Sequence, residues 1–254
     1  MNDILEQLEG ERFISRFLNK EGLLHTLGLS ENGIPSSQLD LTPTFLFRSL
    51  DYYRKLEDHR ADPYENIITT INQTTGAHCT NTNLNCILVS CWSLYQEFEF
   101  TSSSFTQFSP DTVAVIQTKI SDVRKIIESL KYSHTDPLPN PGAMCIDINY
   151  DAKVIYYSPK DDHDLIYNNA SAGIPICFYK QKNPFEKERE YRFMLMFGPN
   201  SNFEPYLYSF RLKNTDYIHK IFIDENILET NSKLLFGLKA YYHSKIYSMQ
   251  GKKI

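Results

Sequence analysis

The sequence predicts a mixed α+β protein with a mostly antiparallel sheet, and two patterns support this. Short runs of β-branched and aromatic residues, typical of strands, fill residues 143–223 with little helical sequence between them. Apolar residues recur at three- and four-residue spacing over residues 1–26, which predicts an N-terminal helix packed on the sheet. We expect one domain, with an N-terminal helical segment and loop at 1–40 and an α+β core at 41–254.

The other elements follow from runs of apolar or β-branched residues bounded by turn formers. Strands are expected near Phe45 and Phe47 and at 66–72, 84–95, 112–119, 144–150, 153–158, 175–180, 190–197, 205–213, 217–224 and 245–249. Helices are expected after Arg48, at 120–132 and near 226–237, where apolar residues recur with helical spacing. Loops are expected at 28–41 and 134–142, which are rich in glycine, proline and small polar residues.

The amino-acid composition favours a folded protein and disfavours some classes of ligand. The 254 residues carry 26 Lys and Arg against 31 Asp and Glu, a formal charge of -5, which disfavours bulk electrostatic capture of nucleic acid but allows a local basic groove. Hydrophobic residues make up 41% of the chain, so a wholly disordered protein is excluded. The 17 tyrosines suit half-buried sheets and aromatic-lined pockets, because a phenol packs its ring and keeps a polar tip.

The N-terminal sequence and the cysteine spacing indicate the cellular compartment of the protein. The N-terminal sequence is charged and lacks the apolar run of a secretory signal, and no stretch is long and apolar enough for a membrane span. The five cysteines lack C-x-x-C spacing, and the seven histidines are scattered, so we expect reduced thiols and no metal site. A cytoplasmic protein without membrane contact is therefore expected.

A run of charges at residues 185–192 is the most informative segment. Glu186, Glu188 and Glu190 are spaced two apart, so an extended chain presents all three on one face, with Arg192 expected on the other. Like charges at that spacing repel and raise each other's pKa. We expect Glu190 to face a cleft, where carboxylates position a sugar hydroxyl and stabilise a cationic sugar. The alternative is a solvated charged loop before an edge strand.

Two further clusters have both a functional and a structural interpretation. Arg48 follows a short strand and precedes Tyr52 and Tyr53, and its planar fork of donors suits a phosphate or a carboxylate. An exposed arginine beside core aromatics is the structural alternative. Hydroxyl groups in the strand that contains Ser93 and Tyr95 need partners, which are either a ligand or the neighbouring backbone.

Together these segments resemble a widespread bacterial family of domains of unknown function. That family is recognised by an aromatic-Arg start, a DP-x-E loop, a C-[FW]-S strand and a closing E-x-E-[YW]-R. The corresponding segments occur here in the same order, as FRSLDYY (47–53), ADPYE (61–65), CWSLY (91–95) and FEKEREYR (185–192).

The same arrangement resembles the ADP-ribosyltransferase superfamily, and this resemblance implies a split sheet and a set of roles. Arg48 would hold the phosphates or ribose of NAD, and Ser93 would support the strand at the nicotinamide ribose. Glu190 would be the catalytic glutamate that stabilises the oxocarbenium ion, and Glu188 would orient the attacking nucleophile. Two tyrosines would stack on the nicotinamide ring, namely Tyr53 and Tyr95.

The resemblance implies an enzyme that consumes NAD as a substrate and modifies nucleic acid or protein. A bacterial toxin or antiphage-defence effector would have this activity, with a cognate antitoxin as a further partner. Two alternatives remain open, which are a non-catalytic binding module of the same fold and a hydrolase that only cleaves NAD.

Overall fold

A computed structural model describes residues 9–33, 43–49, 70–71, 78–79, 87–94, 111–131, 146–158, 176–197 and 207–254. Within these residues the chain is a mixed α+β protein with a large, mostly antiparallel sheet and a few helices, which confirms the predicted class. The helix expected after Arg48 and the loop at 134–142 lie outside the described residues.

Apart from β1 and β4, which were not predicted, the strands lie close to the segments that the sequence predicts. Their bounds are β1 Phe13–Leu18, β2 Thr44–Ser49, β3 Thr70–Ile71, β4 His78–Cys79, β5 Ile87–Ser93, β6 Ala114–Lys119, β7 Ile146–Lys153, β8 Ile155–Tyr157, β9 Tyr179–Gln181, β10 Glu190–Phe197, β11 Leu207–Arg211, β12 Lys220–Ile223 and β13 Ile246–Ser248. The helices are α1 Lys20–Leu27, α2 Ile120–Lys131, α3 Glu225–Thr230 and α4 Ser232–Tyr242, so the helix expected near 226–237 is a pair.

The predicted N-terminal helix over residues 1–26 is wrong in its central part, which is strand β1. All six residues of β1 pair with β6, from Phe13 opposite Lys119 onward, so the sheet satisfies their backbone groups. After β1 the chain enters α1, where the Asn19 side chain accepts a hydrogen bond from the N–H of Gly22. It ends at Gly28, whose φ of 69° is the left-handed conformation typical of a helix C-terminus.

The chain divides into two compact units. The first comprises Met1–Leu46, Trp92–Asp136 and Ser209–Ile254, and the second comprises Phe47–Cys91 and Pro137–Tyr208. The division falls within strands β2, β5 and β11. Our expectation of one domain for the whole chain stays a prediction.

In the first unit, β6 pairs antiparallel with β1 on one side and with β12 on the other. Strand β13 then pairs parallel with β12. The aromatic rings of Phe45 and Trp92 stack in the core, with their centroids 5.9 Å apart. The hydroxyl of Tyr242 in α4 donates to the carbonyl of Leu27 at a distance of 2.6 Å, which ties the last long helix to the first.

In the second unit, β10 pairs antiparallel with β7, from Tyr191 opposite Lys153 to Phe197 opposite Ile146. Strand β10 also pairs with β5, and β5 pairs antiparallel with β2. Strands β8 and β9 form a separate parallel pair. This unit contains the charged segment that the sequence singles out.

Two predictions about environment can be compared with the described residues. Neither Cys91 nor Cys177 forms a disulfide, as expected, while the side chains of Cys79, Cys86 and Cys145 lie outside the described part of the chain. Among the helices in that part, none has the length and apolar character needed to cross a bilayer.

Close backbone contact between α4 and the loop after α1 depends on two glycines of the first unit. A Cβ atom on Gly237 would overlap the carbonyl oxygen of Gly33, and one on Gly33 would overlap the carbonyl oxygen of Lys233. Gly33 also has a φ of +72°, which other residues rarely adopt. The packing of α4 therefore requires glycine at both positions.

We expect Gly237→Ala to lower the free energy of unfolding by about 1–3 kcal/mol, because its methyl group would meet backbone that cannot move aside. In an ordinary helix interior the same change raises stability by roughly 1 kcal/mol. Urea denaturation measures the difference, with Lys239→Ala at an exposed position of the same helix as the control. A Gly237→Ala protein as stable as the wild type would contradict this packing.

Candidate functional site

Four charged side chains of the second unit meet at the start of β10. We call them the buried ion cluster: Lys180 of β9, Glu188 of the preceding turn, and Glu190 and Arg192 of β10. Two are cations and two are anions, so their formal charges cancel. The Glu190 side chain is only 6% exposed and that of Arg192 only 1%.

Arg192 holds Glu190 through two parallel hydrogen bonds. Its Nε donates to Oε1 at 2.8 Å and its Nη2 donates to Oε2 at 2.9 Å. Its third nitrogen, Nη1, donates to the backbone carbonyl of Cys177. A guanidinium held on both sides in this way fixes the carboxylate in position as well as in charge.

Lys180 connects the two glutamates. Its Nζ lies 2.7 Å from Oε2 of Glu188 and 3.3 Å from Oε2 of Glu190. The same ammonium group lies 4.6 Å from the centre of the Phe185 ring, so an aromatic face covers it. Glu188 has the more accessible side chain of the pair, at 26% exposed against 6% for Glu190.

The turn before β10 brings the two glutamates together. A short helical turn at Lys182–Phe185 runs into a 3-10 turn at Glu186–Glu188. Arg189 then adopts φ 45° and ψ 50°, a left-handed conformation that is uncommon for any residue other than glycine. Strained backbone of this kind persists where the surrounding contacts determine it, and it is common at functional sites.

This geometry corrects the expectation of three carboxylates on one extended face. Glu186 belongs to the 3-10 turn and is exposed, and it pairs with Lys182 at 3.6 Å. Arg192 was expected opposite Glu190, which is wrong because residues two apart in a strand share a face. Glu190 was expected to face a cleft and is instead buried against Arg192.

The two carboxylates have opposite pKa shifts. Burial raises the pKa of Glu190, but the charges of Arg192 and Lys180 outweigh burial and hold it well below its ordinary value. Burial raises the pKa of Glu188, and Lys180 offsets only part of that effect. The predicted rise in pKa is therefore correct for Glu188 and wrong for Glu190.

Two more side chains hold Glu190 in place. The Tyr156 hydroxyl accepts a hydrogen bond of 2.8 Å from the backbone N–H of Glu190, and burial together with the Glu190 charge raises the pKa of this tyrosine. The Cys91 thiol forms a hydrogen bond with the Glu190 side chain. Since Cys91 begins the CWSLY segment, two of the four segments quoted above are in contact here.

The structure also describes two predicted site residues, Arg48 and Ser93, and one that was not predicted, Lys180. Arg48 in β2 is partly exposed and lies opposite Val89 of β5. Ser93 is buried in the first unit, opposite Ser15 of β1. Sequence reasoning missed Lys180, which directly follows the apolar run ICFY and is buried in the fold, where a lysine needs a charged partner. Tyr53 and Tyr95 lie outside the described residues.

No protein-family model, curated protein or solved structure matches the chain. Within the described ranges, no group of three or more His, Cys, Asp and Glu side chains is arranged to hold a metal ion.

We expect Arg192→Met to lower the free energy of unfolding by about 3–5 kcal/mol, because it leaves Glu190 buried with Lys180 as its remaining cation. Urea denaturation at pH 7 measures this loss for Arg192→Met, for Glu190→Gln and for the double variant. The double variant should lose less than the two single variants combined, since neither partner is then left alone. Simple additivity would contradict the ion pair.

The opposite pKa shifts predict opposite pH effects on stability. Glu190 has a lowered folded-state pKa, so its contribution is present above its ordinary pKa of 4.5 and is lost as the pH falls below that value. Glu188 has a raised pKa, so its contribution is present below 4.5 and is lost as the pH rises through the folded-state value.

Urea midpoints of wild type, Glu190→Gln and Glu188→Gln between pH 3 and pH 7 test this. The deficit of Glu190→Gln should shrink toward low pH, whereas Glu188→Gln should gain relative to wild type toward pH 7. Parallel curves for all three proteins would contradict the assignment.

Proposed function

We propose that this chain transfers ADP-ribose from NAD to a macromolecular acceptor, on a split sheet of the ADP-ribosyltransferase kind. The observation that supports it most strongly is that Arg48 and Glu190 face the same side of the sheet in the second unit. Residues directly opposite in an antiparallel pair share a face, so Arg48 shares a face with Val89 and hence with Cys91. Cys91 in turn contacts Glu190.

Arg48 and Glu190 belong to strands that share one neighbour. Strand β5 pairs with both β2 and β10, so both residues lie on strands next to β5. In this proposal the Arg48 guanidinium binds a phosphate through its planar fork, while the carboxylates act at the nicotinamide ribose.

The geometry suggests different roles for the two glutamates. Both oxygens of Glu190 already accept hydrogen bonds from Arg192, so we assign Glu190 as a positioning residue that fixes Lys180 and the turn. Glu188 is the accessible carboxylate, and we assign it to the reacting sugar. Its raised pKa also favours acceptance of a proton from the attacking group.

The proposed reaction breaks the bond between the ribose C1′ and the nicotinamide nitrogen, and nicotinamide leaves with the electron pair. The ionised carboxylate of Glu188 stabilises the oxocarbenium ion as it forms. A nucleophile of the acceptor then bonds to C1′, and its proton passes to Glu188. A protein or a nucleic acid supplies this nucleophile, as expected for a toxin or an antiphage effector.

A binding module without catalysis is the second candidate. The buried ion cluster has no net formal charge, which favours the binding module. A carboxylate that is already paired with a cation of the protein stabilises a substrate cation less strongly. In that case both glutamates serve the fold alone, and their replacement alters stability without altering any reaction.

Purified wild type incubated with labelled NAD and with RNA, DNA or protein tests the proposal through nicotinamide release and acceptor labelling. We expect Glu188→Gln to lower the rate by about 10²–10³-fold, because it removes the charge that meets the sugar cation. Arg48→Ala should raise the KM for NAD. Glu186→Gln, at an exposed carboxylate of the same turn, is the matched control and should leave the rate unchanged.

Each outcome separates the candidates. Nicotinamide release without labelling of any acceptor would identify an NAD hydrolase instead. Unchanged activity of Glu188→Gln would remove this glutamate from the reaction. A wild type that binds no NAD would leave the binding module as the remaining function.

A further inference from the structure

Charge is unevenly distributed along the chain, although its total is negative. Residues 232–254 contain five lysines and no Asp or Glu, while the whole chain has a formal charge of -5. Lys233, Lys239, Lys252 and Lys253 are exposed. This final segment of the first unit, α4 to β13 and the residues after it, is therefore a basic region on an acidic protein.

Helix α4 adds an exposed aromatic ring to this basic region. Phe236 is 75% exposed, the largest exposure among the large hydrophobic side chains in the described ranges. Its neighbours three positions before and after are Lys233 and Lys239, and His243 follows one further turn on. We call these four residues the Phe236 face, and all of them are exposed.

The core of the first unit does not need Phe236, because other residues of α4 fill that role. Leu234, Gly237, Leu238 and Tyr242 are buried on the opposite side of the helix, so the core is already served by a complete apolar stripe. The aromatic ring at position 236 lies between two cations on the other side. This combination indicates a ligand that offers both a flat surface and negative charge.

We propose that the Phe236 face binds single-stranded nucleic acid. A base stacks on the exposed ring, and the ammonium groups of Lys233 and Lys239 contact backbone phosphates on either side. The two lysines are six positions apart, which is about 9 Å along the helix axis, a distance that one or two nucleotides span. The proposal concerns binding alone and holds whether or not the chain uses NAD.

A membrane surface is the competing ligand for a basic helix that carries an aromatic residue. Helices that bind in the bilayer interface present a broad apolar face to the lipid. The apolar stripe of α4 is buried in the first unit, so Phe236 is the one large apolar side chain of the Phe236 face, which is no such surface. One ring between cations suits base stacking better than insertion into lipid.

Fluorescence anisotropy with labelled 12-nucleotide RNA and DNA single strands, over a series of salt concentrations, tests the proposal on the full chain. We expect Phe236→Ala to weaken binding by about tenfold or more through the lost stacking. Lys233→Gln and Lys239→Gln should each reduce the slope of log affinity against log salt by about 0.7. Lys153→Gln, at an exposed lysine of β7 in the second unit, is the control and should change neither quantity.

All of these positions are exposed, and circular dichroism with thermal unfolding establishes that each variant keeps the wild-type fold. Absence of oligonucleotide binding would overturn the proposal, as would binding that Phe236→Ala and the two lysine variants leave unchanged. A parallel experiment measures binding to vesicles of phosphatidylserine and phosphatidylcholine. Binding to these vesicles that depends on Phe236, without oligonucleotide binding, would assign the face to a membrane surface instead.

Discussion

A carboxylate buried with almost no access to water sets the constraint on which the second unit depends. The Glu190 side chain is only 6% exposed, and an isolated charge in that environment is too costly to persist. Arg192 removes the cost through two parallel hydrogen bonds, and in doing so it ties β10 to the carbonyl of Cys177. Lys180 adds β9 to the same group. The segments that precede β10 are thus organised by charge as well as by apolar packing.

This constraint separates two residues that the sequence presents as equals. Glu190 is held ionised by its cations, while Glu188 keeps part of its surface and has a raised pKa. Pairs of titratable groups whose environments push their pKa values apart are typical of acid–base sites. Arg189, between the two glutamates, has a strained left-handed backbone, and strain of this kind is common at functional sites.

Local patterns predicted much of the fold. Strand β10 begins and ends with the segment EYRFMLMF, as predicted, because its dense run of aromatic and apolar residues favours a strand in a sheet. Residues 13–18 were misassigned because a few aromatic and β-branched residues fit helical spacing as well as strand spacing, and only pairing with β6 decides between them. Asn19 and Gly28 are typical capping residues and mark the two ends of α1.

The candidate site could be predicted only in part. Spacing drew attention to Glu188 and Glu190, but the partner Lys180 lies eight and ten residues earlier, and its contacts arise from the fold. The left-handed turn at Arg189 is likewise set by surrounding contacts and has no glycine to signal it. The same period of two that was used to align the glutamates also places Arg192 beside Glu190, and that consequence was missed.

The most direct test of this account is the pair of carboxyl pKa values, measured by carbon-detected NMR titration of labelled glutamate side chains. Spectra of Glu188→Gln and Glu190→Gln assign the two resonances. The account predicts that Glu190 stays ionised well below its ordinary pKa of 4.5 for as long as the protein is folded, while Glu188 takes up its proton above 4.5. Two carboxyls that titrate together near their ordinary value, or in the reverse order, would contradict it.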